Sequence, residues 1–250
     1  MTRSDDPAAT VLIPAAGRGT RLEGKRKQLR RLGDAPVLVQ TLRALERCAA
    51  VQALVVAGPP DRTEALRSEL DAAGLATLRA VVEGGASRQA SVRRAFEAAP
   101  DETEVVLVHD AVRPFVPAGR VRAVVEATRE KGAAALAVPA SDTLRRGQRG
   151  GRFGDTIDRA GCFRMQTPQG FRRALLADAF TQIDQQNTAP ATDDVGLVQA
   201  AGHDVHVVEG DRRNFKITTP ADWQLAQALW PVWLEGGNVE GGRTADEQCT

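Results

Sequence analysis

The stretch Val11-Leu12-Ile13-Pro14-Ala15-Ala16-Gly17-Arg18-Gly19-Thr20-Arg21-Leu22 joins a short apolar run to a glycine-containing loop, and Arg26, Lys27 and Gln28 follow closely. An apolar run of this length reads as a buried strand, and glycines after it let backbone N–H groups come close to a ligand. Such a loop suits phosphate. It lacks the third glycine of a G-x-G-x-x-G and the Gly-Lys-Ser/Thr of a P-loop, and it carries Arg21 and Lys27 as cations in their place. A lone G-x-G is most often a tight turn, so the weight of the reading falls on its combination with these two cations and the Pro-Ala-Ala-Gly upstream.

Outward from this loop, apolar runs alternate with amphipathic stretches. Residues 53–57 and 105–108 read as central strands, and 37–48, 61–73 and 87–98 space their Leu, Ala and Val as helices do. A helix at 121–131 and a strand at 133–138 continue the rhythm. This alternation predicts an α/β fold, a mostly parallel sheet covered by helices on both faces. Gly17, Gly85 and Asp110 then fall beyond the carboxyl ends of strands, where ligands of open α/β sheets bind.

Between 141 and 156 the character changes to Arg145, Arg146, Gly147, Arg149, Gly150, Gly151, Arg152 and Gly154. So polar and glycine-rich a segment adds little to a core and reads as a hairpin arm projecting from the body. A helix at 172–183, a strand at 205–208 and a final helix at 220–229 follow. After Trp233 the sequence falls to Gly, Glu, Asn and Arg, so 235–250 reads as a disordered tail. The organisation is one domain over 10–234 with an arm at about 141–163, and no internal repeat.

The chain has 250 residues, 42% of them hydrophobic, and a formal net charge of +1. A balanced charge argues against general binding to nucleic acid or to membrane surfaces, both of which draw on a basic excess. The three cysteines, Cys48, Cys162 and Cys249, are too scattered for a disulfide framework, which fits a reducing compartment. The first residues are polar and lack the apolar core of a signal peptide, and no run approaches the roughly 20 apolar residues of a membrane span. The expected location is the cytoplasm.

Further motifs follow in order: Glu83-Gly84-Gly85-Ala86-Ser87-Arg88-Gln89-Ala90-Ser91, His109-Asp110-Ala111-Val112-Arg113-Pro114, Asp142-Thr143, Asp158-Arg159, Thr167-Pro168-Gln169, Thr192-Asp193-Asp194 and Asn214-Phe215-Lys216-Ile217-Thr218. With the first loop, this ordered set resembles the 2-C-methyl-D-erythritol 4-phosphate cytidylyltransferases over roughly residues 10–230. The resemblance implies a Rossmann-like nucleotidyltransferase related to the glycosyltransferase-A fold. It also implies a homodimer that exchanges its arms, and a reaction between CTP and a polyol phosphate in isoprenoid precursor synthesis with magnesium or another divalent cation. By the same resemblance Arg21 and Lys27 stabilise the transition state, and Arg159, Lys216, Thr192, Thr143 and Thr167 surround the acceptor. The backbone at Ala15, Ala16 and Gly85 and the Ser91 hydroxyl read cytosine, with Gly17, Gly19 and Ala111 in the same nucleotide site. Ala86 stands where the family often has an acid, so no side-chain role is assigned there.

The chemistry agrees with these assignments. Nucleotidyl transfer builds charge on the α-phosphate and the departing pyrophosphate, so fixed cations belong beside them. Losing Arg21 or Lys27 should cost about 3 kcal/mol or more of barrier. Lys25, Arg26, Arg30 and Arg31 crowd the same region and read mainly as solvated surface. Arg159 and Lys216 suit a phosphate clamp, with an ion pair to Asp158 and a surface lysine as their blander readings. Asp110 accepts from a ribose or polyol hydroxyl or helps hold the metal; for Arg113, acceptor positioning and a simple ion pair with Asp110 weigh nearly evenly. His109 reads as a packed residue at a strand end, and His203 and His206 as surface histidines without a zinc site. Magnesium is expected on substrate phosphates. The competing readings are a ribitol 5-phosphate cytidylyltransferase and a catalytically silent nucleotide-binding regulator.

Overall fold

A computed structural model describes residues 8–17, 26–186 and 193–236. Strand β1 (Ala9–Pro14) leads, past the first loop, to a 3₁₀ turn at Lys27–Leu29 and the small pair β2 (Arg31–Leu32) and β3 (Ala35–Pro36). There follow α1 (Val37–Glu46), β4 (Val51–Gly58), α2 (Thr63–Ala72), β5 (Leu78–Glu83), α3 (Arg88–Glu97), β6 (Val105–Val108), α4 (Ala118–Lys131) and β7 (Ala133–Pro139). The second half adds β8 (Leu144–Gly147), β9 (Phe153–Ile157), β10 (Phe163–Arg172), α5 (Arg173–Gln186), α6 (Asp194–Ala200), β11 (His206–Glu209) and α7 (Pro220–Gly236).

Seven strands form one sheet in the order β11-β7-β10-β6-β1-β4-β5. All neighbours are parallel except β10, which runs antiparallel to both β6 and β7. Because side chains alternate along a strand, Val11 and Ile13 of β1 face one layer and Leu12 the other. The first layer buries Leu38, Leu42 and Leu45 of α1, Leu66 and Leu70 of α2 and Val121, Val124 and Val125 of α4. The second buries Val92 and Ala95 of α3, Leu176 and Ala179 of α5 and Val195 and Val198 of α6. The chain leaves β1 toward β4 and β5, whereas from β6 it proceeds to the opposite side of the sheet. The change of direction opens a crevice beyond the carboxyl ends of β1 and β6, the place where such sheets bind ligands.

The helices at 37–48, 61–73, 87–98, 121–131 and 172–183 and the strands at 53–57, 105–108, 133–138 and 205–208 all appear, with ends displaced by a few residues. The last helix is longer than expected. It continues through Pro231 to Gly236, so residues 235 and 236 belong to it and not to a tail, while 237–250 lie outside the described residues. Proline removes one helical hydrogen bond. Contacts offset that loss: the rings of Trp230 and Trp233 lie 6.0 and 5.6 Å from that of Phe115, edge to face. This third cluster also takes in Leu32 of β2 and Ile217, so α7 holds the segments that follow Lys27 and Lys216 against one another.

The segment expected to form an arm is a hairpin in which β8 pairs antiparallel with β9 apart from the main sheet. It leaves the body after β7 and returns into β10. Phe153 at its tip is 82% exposed, and Phe163 and Met165 at its return are also exposed.

Candidate active site

A cavity of about 930 Å³ occupies the crevice, lined by 14–17 after β1, by Lys27 and Gln28, by 83–88 and Ser91 around the start of α3, by 110–112 after β6 and by Lys216. Ala15, Ala16, Gly17, Lys27, Gly85, Ser91, Asp110, Ala111 and Lys216 therefore come together at one cavity. This volume is in the range of ligand pockets, about 300–1,000 Å³.

Two devices hold the wall of the cavity formed by residues 14–17 and the start of α3. Gln28, buried beneath the loop, donates from Nε2 to the carbonyl oxygens of Ala15 at 2.8 Å and Gly17 at 3.0 Å. Across from it Ser87 caps α3, its hydroxyl accepting from the Ala90 amide at 3.0 Å. Ser91 Oγ accepts from the Gly85 amide at 3.1 Å and donates to the Ser87 carbonyl at 2.9 Å. A hydroxyl has one proton and two lone pairs, so an acceptor lone pair remains for a ligand. Glycine is needed here because of crowding. A Cβ on Gly84 would stand 2.3 Å from Ala16 Cβ, and one on Gly85 2.4 Å from Ala90 Cβ.

Asp110 is the electrostatic centre. Its Oδ2 takes Nε of Arg113 at 3.0 Å and Nζ of Lys216 at 3.1 Å, while Nε of Arg88 lies 3.7 Å from Oδ1. Burial alone would raise its pKa, but the attraction of Lys216, Arg113 and Arg88 outweighs burial and holds the carboxyl below the usual range. Arg88 also reaches Asp194 at 2.7 Å.

Behind Asp110 stands a closed network. The Asp110 amide donates to Thr167 Oγ1 at 3.1 Å, Thr167 Oγ1 lies 3.1 Å from His109 Nδ1, and His109 Nε2 lies 3.1 Å from the Arg113 carbonyl oxygen. A carbonyl only accepts, so Nε2 carries the proton and Nδ1 accepts from the threonine. Burial pushes the His109 pKa down to about 4, which fits a packed residue and not a base. His203 pairs with Asp178 at 2.9 Å and His206 is exposed, as surface histidines.

Several expected residues sit elsewhere. Thr167 is buried with its hydroxyl engaged, so it braces Asp110 from behind and does not line the cavity. Arg113 is likewise buried outside the cavity lining, donating to Asp110 and to the Asn214 carbonyl at 2.7 Å, which gives it the bracing role. Thr143 and Arg159 lie exposed on the hairpin, away from this cavity, and Arg159 donates to the Ser141 carbonyl at the hairpin base. Gly19, Arg21 and Thr192 lie outside the described residues. Gln28, Arg88, Gln169 and Asp194 had no assigned roles in the sequence, because their partners are distant in the chain. Gln169 Oε1 accepts from the amides of Asp194 and Val195 at 3.1 and 3.2 Å, fixing the start of α6.

Among the described residues no group of three or more His, Cys, Asp or Glu is placed to hold a metal ion. Asp110, the acid among the acceptor-side residues, is already shared by cations. Asp110 and Glu83 are the carboxylates among the cavity's described lining residues, too few for an all-protein magnesium cage, so they fit an ion that takes most of its oxygens from a ligand and water.

The model of the family described as 2-C-methyl-D-erythritol 4-phosphate cytidylyltransferase matches residues 9–231. The enzyme of that name from Salinibacter ruber is 58% identical over 225 residues, covering 90% of this chain and 94% of that protein. Its namesake from Streptomyces coelicolor is 43% identical over 234 residues, covering 89% and 85%. Among solved structures, the cytidylyltransferase of Thermus thermophilus superposes with a TM-score of 0.74 at 39% identity, covering 90% of this chain and 99% of that one. The Francisella tularensis enzyme gives 0.74 at 28% identity, covering 88% and 99%. These matches, to a chain whose crevice brings Lys27, Ser91, Asp110 and Lys216 to one cavity, show that it belongs to the 2-C-methyl-D-erythritol 4-phosphate cytidylyltransferase family.

Proposed function

We propose that this chain joins CTP to 2-C-methyl-D-erythritol 4-phosphate, giving 4-diphosphocytidyl-2-C-methyl-D-erythritol and pyrophosphate, in isoprenoid precursor synthesis by the non-mevalonate route. The observation that carries the reading is one cavity lined by Lys27, Arg88, Asp110 and Lys216 together with the Gly85–Ser91 turn, in a chain of this family.

The acceptor's phosphate oxygen is already anionic near neutral pH, so it attacks the α-phosphorus in line without a general base, and positioning is the main demand. Lys27 meets the charge that grows on the α-phosphate, and Arg21 serves the triphosphate beside it. The remaining lone pair of Ser91 accepts from the cytosine amino group, and the backbone of Ala15, Ala16 and Gly85 supplies the complementary contacts. Lys216 clamps the acceptor phosphate together with Arg159 from the exchanged arm of a second protomer, and Thr143 of that arm and Thr192 serve the same acceptor. Asp110 orients Lys216 and accepts from a hydroxyl of the acceptor. A divalent cation bound with the substrates would supply neutralisation of the charge that develops on the leaving pyrophosphate, and Asp110 is the side chain that could help hold it.

The functional unit in this reading is a cytoplasmic homodimer with exchanged arms. A hairpin that exposes Phe153, Phe163 and Met165 supports it, since large exposed apolar groups mark contact surfaces, and Thr143 and Arg159 on that hairpin would then serve the partner's site. The unpaired Cys48 and Cys162 fit a reducing compartment. No described helix is long and apolar enough to cross a membrane.

The test is phosphorus NMR of the purified protein with CTP, magnesium and the methylerythritol phosphate. A diphosphate diester and pyrophosphate should appear in equal amounts; CTP binding without either product would overturn the reading.

A further inference from the structure

Arg88 opens α3 one residue after the Ser87 cap, on the nucleotide side of the cavity, yet both of its acidic partners belong to other elements. Asp110 follows β6 and carries Lys216. Asp194 opens α6, and Thr192 precedes it by only two positions in the chain. A single guanidinium therefore ties three chain segments together, and two of them, the start of α3 and the turn after β6, line the cavity.

The two contacts differ in kind. Asp194 is buried to 1% exposure, and its Oδ2, 2.7 Å from Arg88 Nη1, has no hydrogen-bond partner among the described residues. A carboxylate removed from water in this way needs a counter-charge. Burial pushes its pKa up and Arg88 is the cation that opposes the shift. The contact to Asp110 is looser, 3.7 Å from Nε to Oδ1, whereas Arg113 and Lys216 approach Oδ2 at 3.0 and 3.1 Å. Arg88 keeps 30% of its side chain exposed and lines the cavity, whereas Asp194 does not line it.

A mere neutraliser of Asp194 would need no second acid and no place on the cavity wall. A planar fork with five donors can serve both carboxylates at once in a fixed relative geometry. We propose that Arg88 is a positioning residue for the acceptor: it fixes the Asp110–Lys216 pair and the start of α6 relative to each other, so that the acceptor phosphate is held in line with a nucleotide that Arg88 itself does not bind. This rests on the cytidylyltransferase reading above.

Arg88→Gln alone strands a buried carboxylate and risks unfolding, so the informative variant is the double substitution Arg88→Gln with Asp194→Asn, which removes both charges together. Asp194→Asn by itself is the control. Melting temperature, CTP affinity by calorimetry and steady-state kinetics in both substrates would be measured on each, beside the unaltered protein. The double variant should fold and bind CTP within about twofold of the unaltered protein, while KM for the acceptor phosphate rises about tenfold or more and kcat at saturating acceptor falls much less. Asp194→Asn, which leaves Arg88 on Asp110, should show a smaller rise. A folded double variant with unchanged acceptor KM would overturn the proposal and leave Arg88 a structural counter-ion. A loss of CTP affinity matching the loss of activity would overturn it too, by making Arg88 a nucleotide ligand. If the unaltered protein does not turn over methylerythritol phosphate, the cytidylyltransferase reading is what fails, independently of the variants.

Discussion

Nζ of Lys216 lies 3.1 Å from Oδ2 of Asp110, the same oxygen that accepts from Nε of Arg113 at 3.0 Å. Two cations that share one carboxylate are held together against their mutual repulsion only while that carboxylate is ionised. Asp110→Asn should therefore cost stability, about 3 kcal/mol on the scale of broken buried pairs, and should lower acceptor turnover by a larger factor than CTP affinity. The sign of the pH effect follows from the depressed pKa. Asp110 contributes stability above the unfolded carboxyl value near 4 and loses that contribution as pH falls below it. Melting curves in acid should show the loss in the unaltered protein and its absence in the variant.

His109 acts over a higher range. Its folded pKa of about 4 lies below the ordinary value of 6.5, so protonation favours the unfolded chain and stability falls as pH drops from 6.5 toward 4. Between pH 7 and pH 5 the expected loss from this one residue is about 2 kcal/mol. His109→Gln should flatten that part of the profile, as read by denaturant titrations at the two pH values. An unchanged slope would assign the acid sensitivity elsewhere.

Lys27 lines the cavity beside Gln28. Lys27→Ala should lower kcat about a hundredfold or more and weaken CTP binding far less, because its contact strengthens as charge develops. Saturating kinetics and calorimetry separate the two. Normal kcat with a raised KM for CTP would make Lys27 a binding residue only.

Much of this was legible in the chain because it is local. Val105–Val108 could be read from its apolar run, and Ser87 as a cap from its place before a helical pattern. Strand β10 was not legible: Pro168 in its middle argues against a central strand, and the structure accommodates it through a register shift between Met165 and Gln169. The continuation of α7 past Pro231 depends on Trp230 and Trp233 packing on Phe115, a contact that joins residues far apart in sequence. The same holds at the site. Lys216 could be assigned from its motif, but the bridge from Arg88 to Asp110 and Asp194 exists only once α3, β6 and α6 are brought together.

The hairpin gives a prediction that needs two chains. If Arg159 of one protomer serves a site built around Lys216 of its partner, mixing the inactive Arg159→Ala and Lys216→Ala proteins should restore activity, since one site in each heterodimer carries both cations. Subunit exchange would be checked by native mass spectrometry. Confirmed exchange without recovered turnover would place both residues' action within one chain.

Pyrophosphate release separates the two acceptors that this site could serve. The purified protein, with CTP and magnesium, would be offered 2-C-methyl-D-erythritol 4-phosphate and ribitol 5-phosphate in separate assays and kcat/KM measured for each. The methylerythritol phosphate should have the higher value by at least about a hundredfold, the discrimination expected of a site that fixes a polyol phosphate through several polar contacts. A higher value for ribitol 5-phosphate would contradict the account.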